Sequence, residues 1–348
     1  MPRNDTRRRM PQPRLPASRS QILAFRRHVG ALDERLPAGA ASLHRAAWAG
    51  LQDSMPRAAV LSMHARVAGV DPNGWAHASL VQLWGPRFHN YVVAATDLAV
   101  FTLGRLPDDA RRRARAYDLA ERLHASLDGR RKPFGEAGRA IAVIPNTLRY
   151  AATTGRVLLR WDGARQPHIW TVAAPDVDPR SARLELARRY LHCFGPTTAA
   201  SFAGWAGISP READATWASL AGELEPVRTP IGDAWMLAGD EAALRRPQAS
   251  PAPVRLLPSG DAYFLLWGRD RELLVPGVKE RTALWTSRVW PGALLVDGDV
   301  AGVWRRAGTI VDAHPWRRLS SAQRKAVEAE ARALPLPETN GAIVVRWH

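Results

Sequence analysis

Cysteine and lysine are nearly absent from this chain, and each shortage closes off a class of chemistry. The single cysteine, Cys193, sits in a helical run beside Phe194, so no internal disulfide can form and zinc-thiolate chemistry is not expected. A buried, inert thiol is the expectation for it. The ten histidines show neither HxxxH nor HExxH spacing, so no metal site is expected. No phosphate-cradling glycine loop is present, so a nucleotide cofactor such as ATP is not expected, and no other cofactor is implied. Hydrophobic runs fall well short of the roughly 18 residues that a membrane span needs. The N-terminus has no apolar stretch of the secretory type. A cytoplasmic protein with no membrane partner is expected.

What the chain has in excess is arginine. Only three of its 49 basic residues are lysine. That skew, with abundant alanine, is the mark of GC-rich coding and says nothing of function. The surplus of base over acid is different: a formal net charge of +16 creates a positive field suited to a phosphate backbone or an acidic surface. Residues 1–19 hold six arginines and four prolines with almost no apolar periodicity, and are expected to form a disordered basic arm.

Beyond the arm, one order of elements occurs three times. Segments of helical period run into two short β-runs separated by a glycine-containing turn, which is the order of a winged helix. The clearest pair is Val157 to Trp161 and His168 to Val172, broken by Asp162-Gly163. The others turn at Gly85-Pro86 and at Ile231-Gly232-Asp233. The expected architecture is α+β, with three tandem winged-helix units over residues 20–104, 105–177 and 178–248. A small β-rich C-terminal region, 249–348, follows, with a terminal helix whose start carries the capping pair Ser320 and Gln323. Tandem winged helices in so basic a chain point to double-stranded DNA as the partner.

In the first unit, Ile22, Phe25, Val29, Leu32 and Leu36 follow the spacing of an amphipathic helix that Pro37 and Gly39 end. Arg26 and Arg27 then fall outside the apolar stripe, where they are candidates for DNA contact. A second helix, about Ala41 to Leu51, leads into GLQDSMPRAAVLSMHARV, and Pro56 fits the first turn of a third. Gln52, Asp53 and Ser54 therefore fall at a helix-helix junction. Taken alone they read as caps of the next helix, with Ser54 or Asp53 at the N-cap.

Five stretches bring a second reading. GLQDSMPRAAVLSMHARV, WGPRFHNYVVAATDLAVFTLG, ARRYLHCFGPTTAASFAGWAGIS, LLPSGDAYFLLW and ALLVDGDVAGVW, in that order, resemble the AlkZ-like winged-helix DNA-binding proteins over about residues 20–335. The resemblance implies a concave scaffold of tandem winged helices. It also implies DNA glycosylase activity toward bulky N-alkylated purines, with unhooking of interstrand crosslinks. The triplet Gln52-Asp53-Ser54 matches the family's Gln-x-Gln or Gln-x-Asp motif, implicated in positioning the hydrolytic water, and so becomes the catalytic candidate. Its third position is serine, which lacks the usual amide or carboxylate. Asp53 is adjacent, although successive residues normally point differently. Further on, where the family often reads W-x-x-R-G-T-x-H, Arg87 matches, Phe88 and His89 replace Gly-Thr, and Tyr91 takes the histidine position. Arg87, His89 and Tyr91 are thus DNA-contact candidates, while Phe88 and Tyr91 fit equally well as packing of the first wing. In the third unit Ser201 stands where the family often has an acid.

The chemistry makes the triplet intelligible. An N7- or N3-alkylated purine is already cationic and leaves with little need of an acid. A positioned water and dipolar or negative groups facing an oxocarbenium-like sugar are then sufficient. With no lysine near Gln52, a Schiff-base lyase step is not expected, and a monofunctional glycosylase acting as a monomer on nucleoid DNA is. Arg149 in the second unit's recognition helix, with Arg160 and Arg165 on its hairpin, complete the expected DNA contacts. The alternative is a noncatalytic winged-helix DNA-binding protein, a regulator or damage-recognition factor. Ser54 favours that alternative; Gln52 and the full-length resemblance favour the enzyme.

Overall fold

A computed structural model of the chain describes residues 15–53, 57–163, 166–246, 252–336 and 341–348. Most of the expected basic arm lies outside the described residues, but its end is ordered. Leu15–Pro16 is a strand paired in parallel with Val227 and Arg228, and Leu15 is buried, so the expectation of disorder as far as residue 19 is corrected. The first helix, Arg19–Val29, begins with a capping box in which Ser18 and Gln21 satisfy each other's backbone N–H groups. It ends at Gly30, short of Pro37, and the chain turns left-handed at Ala31. Leu36 leaves the helical stripe and bridges Val67.

The second helix is also shorter than expected, Ala40–Ala46. Gly50, at φ 72°, bends the chain so tightly that a Cβ there would stand 2.8 Å from the Phe101 ring and 2.9 Å from the Tyr91 ring. Leu51–Gln52 then runs as a strand, and the next helix spans Ala58–Arg66. The helix expected to reach Leu51 yields to an edge position where ladder hydrogen bonds and a buried slot for Leu51 are both available.

Three hairpins form where the turn residues place them: Leu80–Trp84 with Asn90–Ala94, Val157–Arg160 with His168–Thr171, and Leu224–Thr229 with Gly232–Leu237. The first two do not stay apart. They meet at Gln82 and Leu159 in one six-stranded sheet, ordered Leu51–Gln52, Asn90–Ala94, Leu80–Trp84, Val157–Arg160, His168–Thr171, Lys132–Pro133. The helical run before the second hairpin is a 3₁₀ helix, Pro145–Thr154. The C-terminal region is a five-stranded sheet closed by the helix Ser321–Arg332, whose capping box uses Ser320 and Gln323.

The largest core joins Leu83, Tyr91 and Phe101 to Tyr190, Phe194, Phe202 and Trp205, and to Leu257 and Phe264 of the C-terminal region. Each such fully buried large apolar side chain contributes about 1.5–3 kcal/mol. Leu119, Leu123, Leu127, Leu148 and Ile169 form a separate core under the second hairpin. Cys193 is partly covered as a residue, but the enclosure of its thiol pushes the pKa up to about 12, the state of an inert cysteine. Among the described residues no helix is long and apolar enough to cross a membrane.

Candidate active site

The two-residue strand Leu51–Gln52 forms the edge of the six-stranded sheet, and its pleat decides where each side chain goes. Gln52 pairs with Tyr91, and Leu51 with Val92; the Asp53 N–H donates to the Asn90 carbonyl at 2.8 Å and carries the ladder one residue further. Alternation sends Gln52 to the face of Tyr91 and Leu83, and Asp53 to the face of Gln82. Asp53 is completely buried. Its Oδ1 accepts the Ala59 N–H at 3.1 Å, near the start of the helix Ala58–Arg66, and its Oδ2 accepts from Gln82 Nε2 at 3.1 Å. Burial pushes its pKa up to about 6, against the opposing pull of the Ala59 N–H, the Arg57 charge and Gln82.

Gln82 is fixed in its turn. Its Oε1 accepts the Trp161 N–H at 2.7 Å and its Nε2 also donates to the Trp161 carbonyl at 3.3 Å, so the amide can point only one way. On the opposite face, Gln52 is buried against the turn Pro258 to Asp261. Gly260 lies there at φ 74°, and a Cβ on it would stand 2.7 Å from Gln52 Nε2. Asp261 anchors the turn through a two-pronged pair with Arg66 at 2.7 and 2.8 Å, both side chains buried. Ser54 lies outside the described residues.

The tip of the first hairpin holds Arg87 and Phe88 in consecutive left-handed conformations. The Arg87 guanidinium lies 5.2 Å from the Trp267 ring, and its backbone is tight against Gly207. Phe88 meets Tyr150 edge-on at 5.2 Å and carries Arg105 at 4.8 Å over its face. Arg105 is buried, donating to the carbonyls of Ala206 and Trp84, and that burial pulls its pKa down to about 9. His89 faces outward at the tip, yet desolvation by its neighbours and then the charges of Arg87, Arg149 and Arg105 pull it down to about 4. Tyr91 is wholly interior, with Gly85 and Gly50 against its ring, and its burial pushes its pKa up to about 12. It packs the first hairpin and does not reach the surface, so the expected DNA contact through Tyr91 is corrected.

The model of the AlkZ-like DNA glycosylase family matches residues 46–335. The chain belongs to the AlkZ-like DNA glycosylase family. Membership brings DNA glycosylase chemistry, DNA repair and DNA binding. The fold agrees: Streptomyces sahachiroi DNA glycosylase AlkZ superposes with a TM-score of 0.75 at 20% identity, covering 96% of this chain and 100% of that one. Comparison with curated protein sequences finds no match.

Within that AlkZ-like frame, two further expected DNA contacts are corrected. Arg26 and Arg27 are buried, because other parts of the chain cover the side of the helix that the apolar stripe leaves open. Arg26 donates to the carbonyls of Gly195 and Pro196, both at 3.1 Å, and faces Asp270 at 3.7 Å. Arg27 donates to Asp33 at 2.8 Å and to the Gly298 carbonyl at 2.9 Å. Arg149 is half-buried, 6.0 Å from the Phe134 ring, while Arg160 is exposed at the end of its strand; Arg165 lies outside the described residues. Ser201 has the buried carboxylate of Asp270 in its neighbourhood, so an acid reaches this spot from elsewhere in the chain. Gln82 is not among the expected site residues, although one glutamine in the apolar run LVQLW signals a buried amide in need of partners. Neither are Arg57, Trp75, Arg66 and Asp261. Among the described residues no group of three or more His, Cys, Asp and Glu is placed to hold a metal ion.

Proposed function

We propose that this AlkZ-like chain is a monofunctional DNA glycosylase. It hydrolyses the N-glycosidic bond of bulky N-alkylated purines in duplex DNA and, by the same bond cleavage, unhooks interstrand crosslinks. It works as a monomer, on nucleoid DNA, without a metal or cofactor. Its three segments of helices followed by a hairpin are read as tandem winged-helix units. The observation that carries this reading is the seating of Gln52. Its amide is lodged between the first hairpin and the Gly260 turn, in a family whose members are DNA glycosylases. An amide oriented in this way holds a water with little reorganisation during attack on a cationic nucleoside.

Support for the monofunctional step comes from the sheet. Lys132 belongs to the edge opposite Gln52, five strand spacings away, on the order of 24 Å, too far for a Schiff base at the same sugar. A second reading, a noncatalytic DNA-damage binder, draws on Asp53. Its carboxylate is turned inward and bonded to Ala59 and Gln82, so it does not supply the group that Ser54 lacks.

The deciding experiment measures release of N7-methylguanine from labelled duplex DNA, and unhooking of a nitrogen-mustard crosslink, by wild type and Gln52→Ala. Release by wild type that drops about 10²-fold or more in the variant is expected. Tight binding by wild type without any release establishes the binder and ends the glycosylase reading.

A further inference from the structure

We propose that Arg57 and Arg160 form a clamp for one phosphodiester of the DNA strand, built across the first and second hairpin regions beside the Gln52-Asp53 strand. The inference rests on the reading above that the substrate is duplex DNA.

Both guanidiniums stack on one indole. Arg160 Cζ lies 4.0 Å and Arg57 Cζ 4.2 Å from the centroid of Trp75, which is itself buried. The two cations are therefore no more than about 8 Å apart. The two non-bridging oxygens of one phosphate accept from both guanidiniums when these reach it from the same side of the indole. Among the described residues neither arginine forms an ion pair, and Arg57 has a buried terminal nitrogen, Nη1, without a hydrogen-bond partner. Asp162, two residues beyond Arg160, is the acid that acts on that guanidinium. The Asp53 carboxylate, near Arg57, is already taken by Ala59 and Gln82.

Stacking alone does not account for the pair. One cation satisfies the face of an indole, whereas a second brings like-charge repulsion and further desolvation. Burial, then the charges of Arg57 and Arg131, lower the Arg160 pKa against the opposing pull of Asp162. Arg57 also holds a left-handed backbone, φ 69°, to reach this position. A phosphate accepting from both would offset the repulsion.

The clamp is tied to the candidate active site by a closed circuit of contacts. Asp53 accepts from Gln82, and Gln82 is held by the Trp161 backbone, next to Arg160. Arg160 lies on Trp75, Trp75 carries Arg57, and two residues further Ala59 donates back to Asp53. A strand anchored at Trp75 is thereby fixed in register with the motif strand.

The test is a methylphosphonate scan. Single phosphates around the lesion of a labelled duplex are made neutral one at a time, and affinity is measured for wild type, Arg160→Gln and the Arg57→Gln/Arg160→Gln pair. For wild type, one position should weaken binding about 10-fold. In the double variant that position should become silent, and the salt dependence should fall by the equivalent of about two phosphate contacts. Arg160→Gln, at an exposed position, keeps the test alive if the double variant does not fold, and should remove about one contact. Folded variants with the wild-type scan and the wild-type salt slope overturn the clamp. Base release is followed in parallel. A clamp signature without release ends the glycosylase reading alone, and normal release with an unchanged scan ends the clamp alone.

Discussion

Gln82 Nε2 donates to Asp53 Oδ2 at 3.1 Å, and this single bond fastens the strand bearing Gln52 to the seam where two hairpins become one sheet. The seam is narrow. Backbone pairing between the hairpins is recorded at Gln82 and Leu159, and the side chain of Gln82 adds the clasp on Trp161. The geometry of the candidate site thus depends on an amide that does not itself face Gln52.

Gln82→Ala is therefore expected to destabilise the fold by about 1–3 kcal/mol, since it removes the amide that bonds a buried carboxylate oxygen and the Trp161 backbone. Urea unfolding measures this as a lower midpoint at an unchanged slope. A midpoint equal to wild type would show that water or a neighbour replaces the amide, and that the seam does not need it.

Asp53 gives the fold a pH dependence of unusual sign for a carboxylate. Its pKa rises from 3.8 to about 6 in the folded state, so between those values the native protein binds more protons than the unfolded chain. Stability from this group is full below the lower value, is lost as pH rises through the window, and is level above it. The loss is on the order of 3 kcal/mol. Asp53→Asn removes the titration, so the stability of wild type relative to the variant should fall as pH goes from 4 to 7. A difference that stays flat, or grows in favour of wild type, would mean that Asp53 is charged throughout and that hydrogen bonding outweighs burial.

The hairpins were legible because their signals are local. Asp162-Gly163 and Ile231-Gly232 stand between β-branched runs, and strands form on either side of both. The same holds for Ser320 and Gln323, which cap the last helix as their spacing implies. The site was legible only in part. Helical spacing places Arg26 and Arg27 off the stripe of Ile22 and Phe25, but it cannot reveal that Gly195, Pro196 and Gly298 cover the other side of that helix. A two-residue strand has no period to detect, so the turn at Gly50 was the one available sign that Gln52 lies on a sheet edge. The partner of Gln82 is 79 residues away in sequence, beyond the reach of any local pattern.

Gly260→Ala tests how closely the Gln52 amide must be held. Gly260 adopts φ 74°, where a side chain costs roughly 1–2 kcal/mol. The added methyl would also stand 2.7 Å from Gln52 Nε2, so the amide has to move. The turn cannot easily retreat instead, because Asp261 is locked to Arg66 by two hydrogen bonds and accepts the Tyr263 N–H as well. The displacement therefore falls on Gln52. Single-turnover base release is expected to slow by about 10- to 10²-fold, with affinity for undamaged duplex unchanged, since Arg57, Arg87 and Arg160, the proposed DNA contacts, are untouched. Loss of affinity in proportion to the loss of rate would assign the turn to DNA binding, whereas wild-type release would show that the position of the Gln52 amide does not limit the chemistry.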